Sequence, residues 1–219
     1  MMAQSPQQEQ AERLISELKA LPIIKSVLEE LKNGLPDCFA FHSVTHTQDV
    51  MHQAVLFSVL DHRSRREIEL LAVAAAYHDV GFLEKKDLHE EISARYVEIA
   101  MRSDGSFTEE EIAQVKTMIL DTKLISVDSG FEQRASTDLS RYLLDADLSN
   151  FGREDFFERL EANRIELGAG EAEFRRRTLK LMKAHTWLTE AARTLRQGKK
   201  EENMHKLAAL VESDSNASG

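Results

Sequence analysis

The chain has 219 residues, 42% of them hydrophobic and 30% charged, which suits one domain with a sizeable core and is ordinary for a soluble helical protein. Its 28 Lys and Arg against 38 Asp and Glu give a formal net charge of -10, which disfavours broad binding to a nucleic-acid polymer. A single cysteine, Cys38, excludes an intramolecular disulfide and any multi-cysteine zinc cluster, and with no apolar leader or spanning segment the chain is expected to be cytoplasmic, off the membrane.

Three prolines, nine glycines and no strand alternation predict an all-α fold. Residues 1–8 are expected to be mobile, followed by helices over 9–20 and 23–31. In the next helix, 46–60, His46, Val50, Ala54 and Phe57 fall on one stripe, which puts His46 on the buried face. The helix 65–80 is apolar almost all round over 70–77 and reads as interior; it ends in the pair His78-Asp79, with Gly81 as its stop. Helices over 89–102 and 108–121 follow, the second opened by a capping box from Thr108 and Glu111. Residues 123–135 read as a loop near the site that can serve as a lid or a mere connector. The last stretch carries helices over 138–144, 154–167, 171–196 and 199–212 and a mobile tail. Within it, Arg175, Arg176, Arg177, Lys180 and Lys183 form a basic run of the kind that is usually a solvated face, Trp187 reads as a packing residue, and His185 can face the site from its far wall.

Buried ionisable groups cost several kcal/mol unless they are paired, hydrogen-bonded or bound to metal, so His78 and Asp79 need partners. His46 is one candidate. The segment LLDADLSNFG supplies others, because Asp145 and Asp147 sit among Leu143, Leu144, Ala146 and Leu148 and one of them is expected to point inward. A lone buried His is ordinarily a satisfied core residue, and an Asp after a helix is ordinarily a cap. The order of the segments discriminates where no single residue does: His, then His-Asp ending an apolar helix, then Asp in a DADLSN context.

That order resembles the HD-domain superfamily of metal-dependent phosphohydrolases over roughly residues 35–200, with 1–34 as N-terminal helices packed on that domain and 201–219 as a helix end and tail. FHSVTHT resembles the superfamily's Tyr-His-x-x-x-His segment, also seen in its cyclic-nucleotide phosphodiesterase branch, with Phe41 in place of Tyr. YHDVG matches the namesake pair, and ADLSN resembles the downstream ligand segment. The resemblance implies a single helical domain with the metal between its central helices, and His46, His78, Asp79 and Asp147 as ligands, selecting Asp147 over Asp145. It further implies His42 as the acid that protonates the leaving oxygen, Glu90 in HEEIS as the carboxylate that orients water beside Asp79, and Lys123 as a phosphate contact. Glu90 is otherwise a first-turn acid and Lys123 a lysine at a helix C-terminus, both common arrangements.

Two imidazoles and two carboxylates leave coordination positions open for water and substrate, as a catalytic site requires. The ion is a divalent metal: Mn, Mg, Zn, Ni or Fe. Branches of that superfamily with a second metal add two histidines between the His-Asp pair and the last Asp; the eight histidines here lie at 42, 46, 52, 62, 78, 89, 185 and 205, so only His89 could serve, and the resemblance implies one tight site with at most a weak second one. The function implied is hydrolysis of a phosphomonoester or phosphodiester bond in a small metabolite such as a nucleotide. A non-catalytic metal- and nucleotide-binding sensor is the alternative, with an iron oxygenase of the same fold behind it. An exposed apolar face on the terminal helices would favour a homodimer.

Overall fold

The apolar run at 70–77 lies where its composition demands, in the middle of the molecule. The computed structural model describes residues 5–36, 38–127 and 130–217, with the side chains of 126–132 outside that description. Its helices are α1 (Pro6–Lys19), α2 (Pro22–Gly34), α3 (Val44–Leu60), α4 (Arg65–Tyr77), α5 (His89–Asp104), α6 (Glu109–Asp121), α7 (Ser140–Asp147), α8 (Phe156–Leu167), α9 (Glu171–Ala184) and α10 (Glu190–Ala217). Short 3-10 turns, Val80–Leu83 and Ser149–Gly152, follow α4 and α7. The described residues form a single all-α domain apart from one pair of three-residue strands.

Every residue of α4 from Leu70 to Tyr77 is buried, and the helix packs against α2, α3, α5, α6 and α7. Each large apolar side chain taken from water contributes about 1.5–3 kcal/mol, so Ile68, Leu70, Leu71, Val73 and Tyr77 anchor this central helix firmly. Ser64 opens it with a capping box closed by Glu67, and Thr108 and Glu111 open α6 in the same way. Tyr77 at its end donates its hydroxyl to the carbonyl of Ile23 at 3.1 Å, tying α4 to α2.

Helix α4 stops at Tyr77, short of the expected 80, and passes through His78 and Asp79 into the 3-10 turn. Gly81 does not act as a simple stop. Its amide donates to Ser93 Oγ at 2.8 Å, and a β-carbon there would overlap the carbonyl oxygen of His89. Glycine is required because the first turn of α5 packs directly on this backbone.

Four other expectations change. The helix expected over 171–196 is broken at 185–189, where Asp145 accepts hydrogen bonds from the backbone amides of Leu188 and Thr189 and from Thr189 Oγ1. Thr189 Oγ1 in turn accepts the amide of Ala192 and starts α10, which runs unbroken through Gly198 and takes in the separate helix expected over 199–212. The expected loop over 123–135 contains antiparallel strands β1 (Ile125–Val127) and β2 (Gly130–Glu132), with Ile125 opposite Glu132, while residues 128 and 129 lie outside the described residues. Ser5 and Gln8 form a capping box for α1, so residues 6–8 are helical, and α10 extends to Ala217. Residues 1–4 and 218–219, the rest of the ends expected to be mobile, lie outside the described residues.

Candidate metal centre

Three ends of helices meet at one point. His46 sits in the first turn of α3, whose N-cap Ser43 accepts the His46 amide; His78 and Asp79 follow the last turn of α4; Asp147 is the last residue of α7. His46, His78 and Asp79 are all buried, and their ligand atoms lie within 4.8 Å of one another. His46 Nε2 is 3.5 Å from Asp79 Oδ2 and 3.4 Å from Asp147 Oδ1. His78 Nε2 is 3.1 Å from Asp79 Oδ2 and 3.8 Å from Asp147 Oδ1.

These spacings suit a cation. Ligand atoms bound at about 2.1 Å are separated by roughly 3.0–3.4 Å along the edges of an octahedron or tetrahedron. His46 Nε2, His78 Nε2 and Asp79 Oδ2 are also each buried without a hydrogen-bond partner, although they are close to one another. An unpaired buried polar atom costs about 1–3 kcal/mol, and three in one place need a common partner. The tautomer of His78 agrees: Nδ1 donates to the carbonyl of Ala75 at 2.7 Å, which leaves the Nε2 lone pair turned toward the cluster. The His-His-Asp group can hold a metal ion, with Asp147 beside both imidazoles.

The electrostatics of the site favour positive charge. Burial by itself lowers the pKa of His78, but Asp79 and Asp147 outweigh it and raise the value to about 9. Burial likewise works against ionisation of Asp79, yet His78, His42 and His46 hold its carboxyl well below the usual range. Asp147 is lowered in the same way, against burial, by its contact with His46 and the charge of His78. A cation satisfies both carboxylates without a proton.

His42 lies just before α3, so it does not share a helical face with His46; the chain reaches the site through a bend at Ser43. Its ring stacks on Phe82 at 4.4 Å between centroids and stands 5.8 Å from the ring of His46. His42 Nδ1 is hydrogen-bonded to Glu166 Oε1, while Glu166 Oε2 accepts the backbone amides of Phe41 and His42 at 2.8 and 2.9 Å. Burial pulls the His42 pKa down, and the bond to Glu166 with the charges of Asp79 and Asp147 raises it above the ordinary value. Glu166 carries no motif, yet the sequence holds one clue: an acid in the last turn of a helix, where the dipole disfavours it.

The remaining candidates divide. Glu90 is buried in the first turn of α5, with Oε2 3.4 Å from His89 Nδ1, and His89 Nε2 lies 3.8 Å from Asp79 Oδ1. The His89 ring stacks on the face of Phe82 with centroids 4.2 Å apart, so Phe82 orients both flanking histidines. Lys123 instead pairs with Glu91 at 2.6 Å on the surface, which raises its pKa, and does not line the cavity beside Asp147. His185 is engaged by other groups: Lys200 Nζ lies 3.0 Å from its Nδ1 and donates to its carbonyl at 2.5 Å, beside the buried ring of Trp187. Within the basic run, Arg175 pairs with Glu171 and Asp214, and Arg176 with Glu173.

Two contacts lie beyond the motifs. Gln133 Nε2 donates to the carbonyl of Thr122 at 2.9 Å and reaches Asp147 Oδ2 at 3.4 Å, linking the segment after β2 to the centre. A cavity of about 250 Å³ opens beside Asp147 and His42 and runs between the 3-10 turn 149–152, α8 and α9. No helix among the described residues is long and apolar enough to cross a membrane. No family model matches the chain, and no curated protein matches it.

Proposed function

We propose that this protein is a metal-dependent phosphohydrolase of the HD-domain type, cleaving a phosphomonoester or phosphodiester bond in a small phosphorylated metabolite of the nucleotide class. The observation that carries the reading is the set of three buried ligand atoms on His46, His78 and Asp79, each without a hydrogen-bond partner and all facing one another.

His46, His78, Asp79 and Asp147 would hold the ion. A divalent cation in that position supplies Lewis-acid polarisation of a phosphoryl group and lowers the pKa of water toward neutrality. The side chains divide the remaining work. Glu166 holds the His42 ring by Nδ1 and by the backbone and favours the doubly protonated imidazolium, whose Nε2–H is the proton the leaving oxygen needs. Asp79, kept ionised, and Glu90, buried beside His89, are the bases available on the other side. Phe82 keeps His42 and His89 apart and turned inward by stacking on both. Lys123 has no part in this scheme while Glu91 holds it.

The test is phosphate release from a panel of nucleotides with Mn(II) or Mg(II). Turnover of at least one compound, abolished by chelator and by Asp79→Ala, is expected. Metal and nucleotide binding without turnover would replace the enzyme by a sensor module.

A further inference from the structure

The cavity beside Asp147 and His42 is lined by aromatic and amide side chains as well as by Arg159 and Arg177. We propose that it receives the leaving group of the substrate and selects a flat heteroaromatic ring bearing an amino group, the chemistry of an adenine or cytosine base. The inference rests on the phosphohydrolase reading for its geometry, because a group protonated by His42 as it departs must lie on the His42 side of the metal.

Three features of the walls carry it. Phe41, Phe151 and Phe174 line the space, and their faces favour a planar ring, while Arg159, Arg177 and Thr178 on the same lining are polar groups that a sugar or phosphate attached to that ring would meet. At about 250 Å³ the volume is slightly below the roughly 300–1,000 Å³ of common ligand sites, which fits one small ring system. Asn150 and Asn163 line the same space, and the side-chain oxygen of each is buried with no hydrogen-bond partner. Such an unpaired acceptor is costly, and an N–H on a ligand, met by a small turn of the amide, supplies what is missing. Asp147 is the one acid among the described lining residues, so a cationic amine would find no counter-charge beyond the metal end, whereas a neutral amino-substituted ring needs none.

The placement of the two amides joins them to the chemistry. Asn150 is three residues after Asp147, in the 3-10 turn that continues from α7. Asn163 is three residues before Glu166 on α8, on the same side of that helix. Ring recognition and the positioning of the metal ligand and the acid therefore share the same two chain segments.

Nucleosides without phosphate test the pocket separately from hydrolysis. Binding to the full-length, Mn(II)-loaded protein would be measured by calorimetry for two pairs: adenosine against purine riboside, and cytidine against its 4-deamino analogue. Each pair differs by the amino group alone. At least one pair is expected to show a preference of tenfold or more for the amino compound, falling toward one in Asn163→Leu or Asn150→Leu. No preference in either pair, or a preference that both variants leave intact, would overturn the proposal. Amino-dependent binding with no ester hydrolysed would leave the pocket assigned and remove the enzyme; equal cleavage of glycerol phosphate and nucleotides would do the reverse.

Discussion

Glu166 grips His42 at three points, through the ring Nδ1 and the backbone amides of Phe41 and His42, and so fixes both the position and the protonation of the residue that faces the metal centre from α3's approach. Glu166→Gln keeps an acceptor for the amides but removes the charge. Turnover should fall on the order of tenfold to a hundredfold. Because the carboxylate raises the His42 pKa, its loss should also move the alkaline limb of the kcat profile to lower pH. A pH profile that drops uniformly without shifting would mean that Glu166 only holds the loop.

Asp145 and Asp147 stand two residues apart and do different things. Asp145 faces the α9–α10 bend, where it accepts the amides of Leu188 and Thr189 and the hydroxyl of Thr189, and Asp147 faces the imidazoles. Asp145→Ala should cost roughly 2–4 kcal/mol of stability, as unsatisfied buried donors do, with metal content retained. Asp147→Ala should weaken metal binding with a smaller stability loss. Urea denaturation alongside metal analysis separates the two; identical behaviour would contradict the assignment.

Gly81→Ala should be among the most damaging conservative changes in the chain. The added β-carbon meets backbone, the carbonyl of His89, which cannot rotate away as a side chain can. A loss of roughly 3 kcal/mol or more is expected from such overpacking. Since α5 must shift, His89 and Glu90 should move with it, and activity should fall further than stability predicts. Thermal melts and turnover on the same variant check both parts.

Acid sensitivity should centre on the bend between α9 and α10. Burial, with the charge of Lys200 added, lowers the pKa of His185 to about 3. The unfolded chain binds a proton there below about 6.5 that the folded chain refuses. Stability from this site is therefore fully present above pH 6.5 and is lost as pH falls toward 3, by on the order of 2–4 kcal/mol. His185→Gln should flatten the dependence of the urea midpoint on pH in that window; an unchanged slope would place the acid sensitivity elsewhere.

The helices were legible where the signal is local. The run at 70–77 announces an interior helix because it is apolar on all sides, and the capping box at Thr108 carries its own partner three residues on. His46 was placed on a buried face by its stripe alone, and it is buried. The break at 185–189 could not be read because Asp145, more than 40 residues away, holds it open against a helical composition. Glu166 and Asn163 escaped for the same reason: on α8 they look like surface polar residues until the helix is seen to cover the site. Lys123 shows the converse, a residue suggested by its neighbours in sequence that a nearer acid, Glu91, engages.

The most direct measurement is the metal content of purified protein by mass spectrometry, with phosphate release from nucleotides assayed on the same sample. About one tightly held divalent ion per chain, lost together with phosphate release in Asp79→Ala while the fold persists, is the expected result. Full phosphate release from metal-free protein, or an Asp79→Ala variant that keeps both its ion and its activity, would contradict the assignment of His46, His78 and Asp79 as the centre of the enzyme.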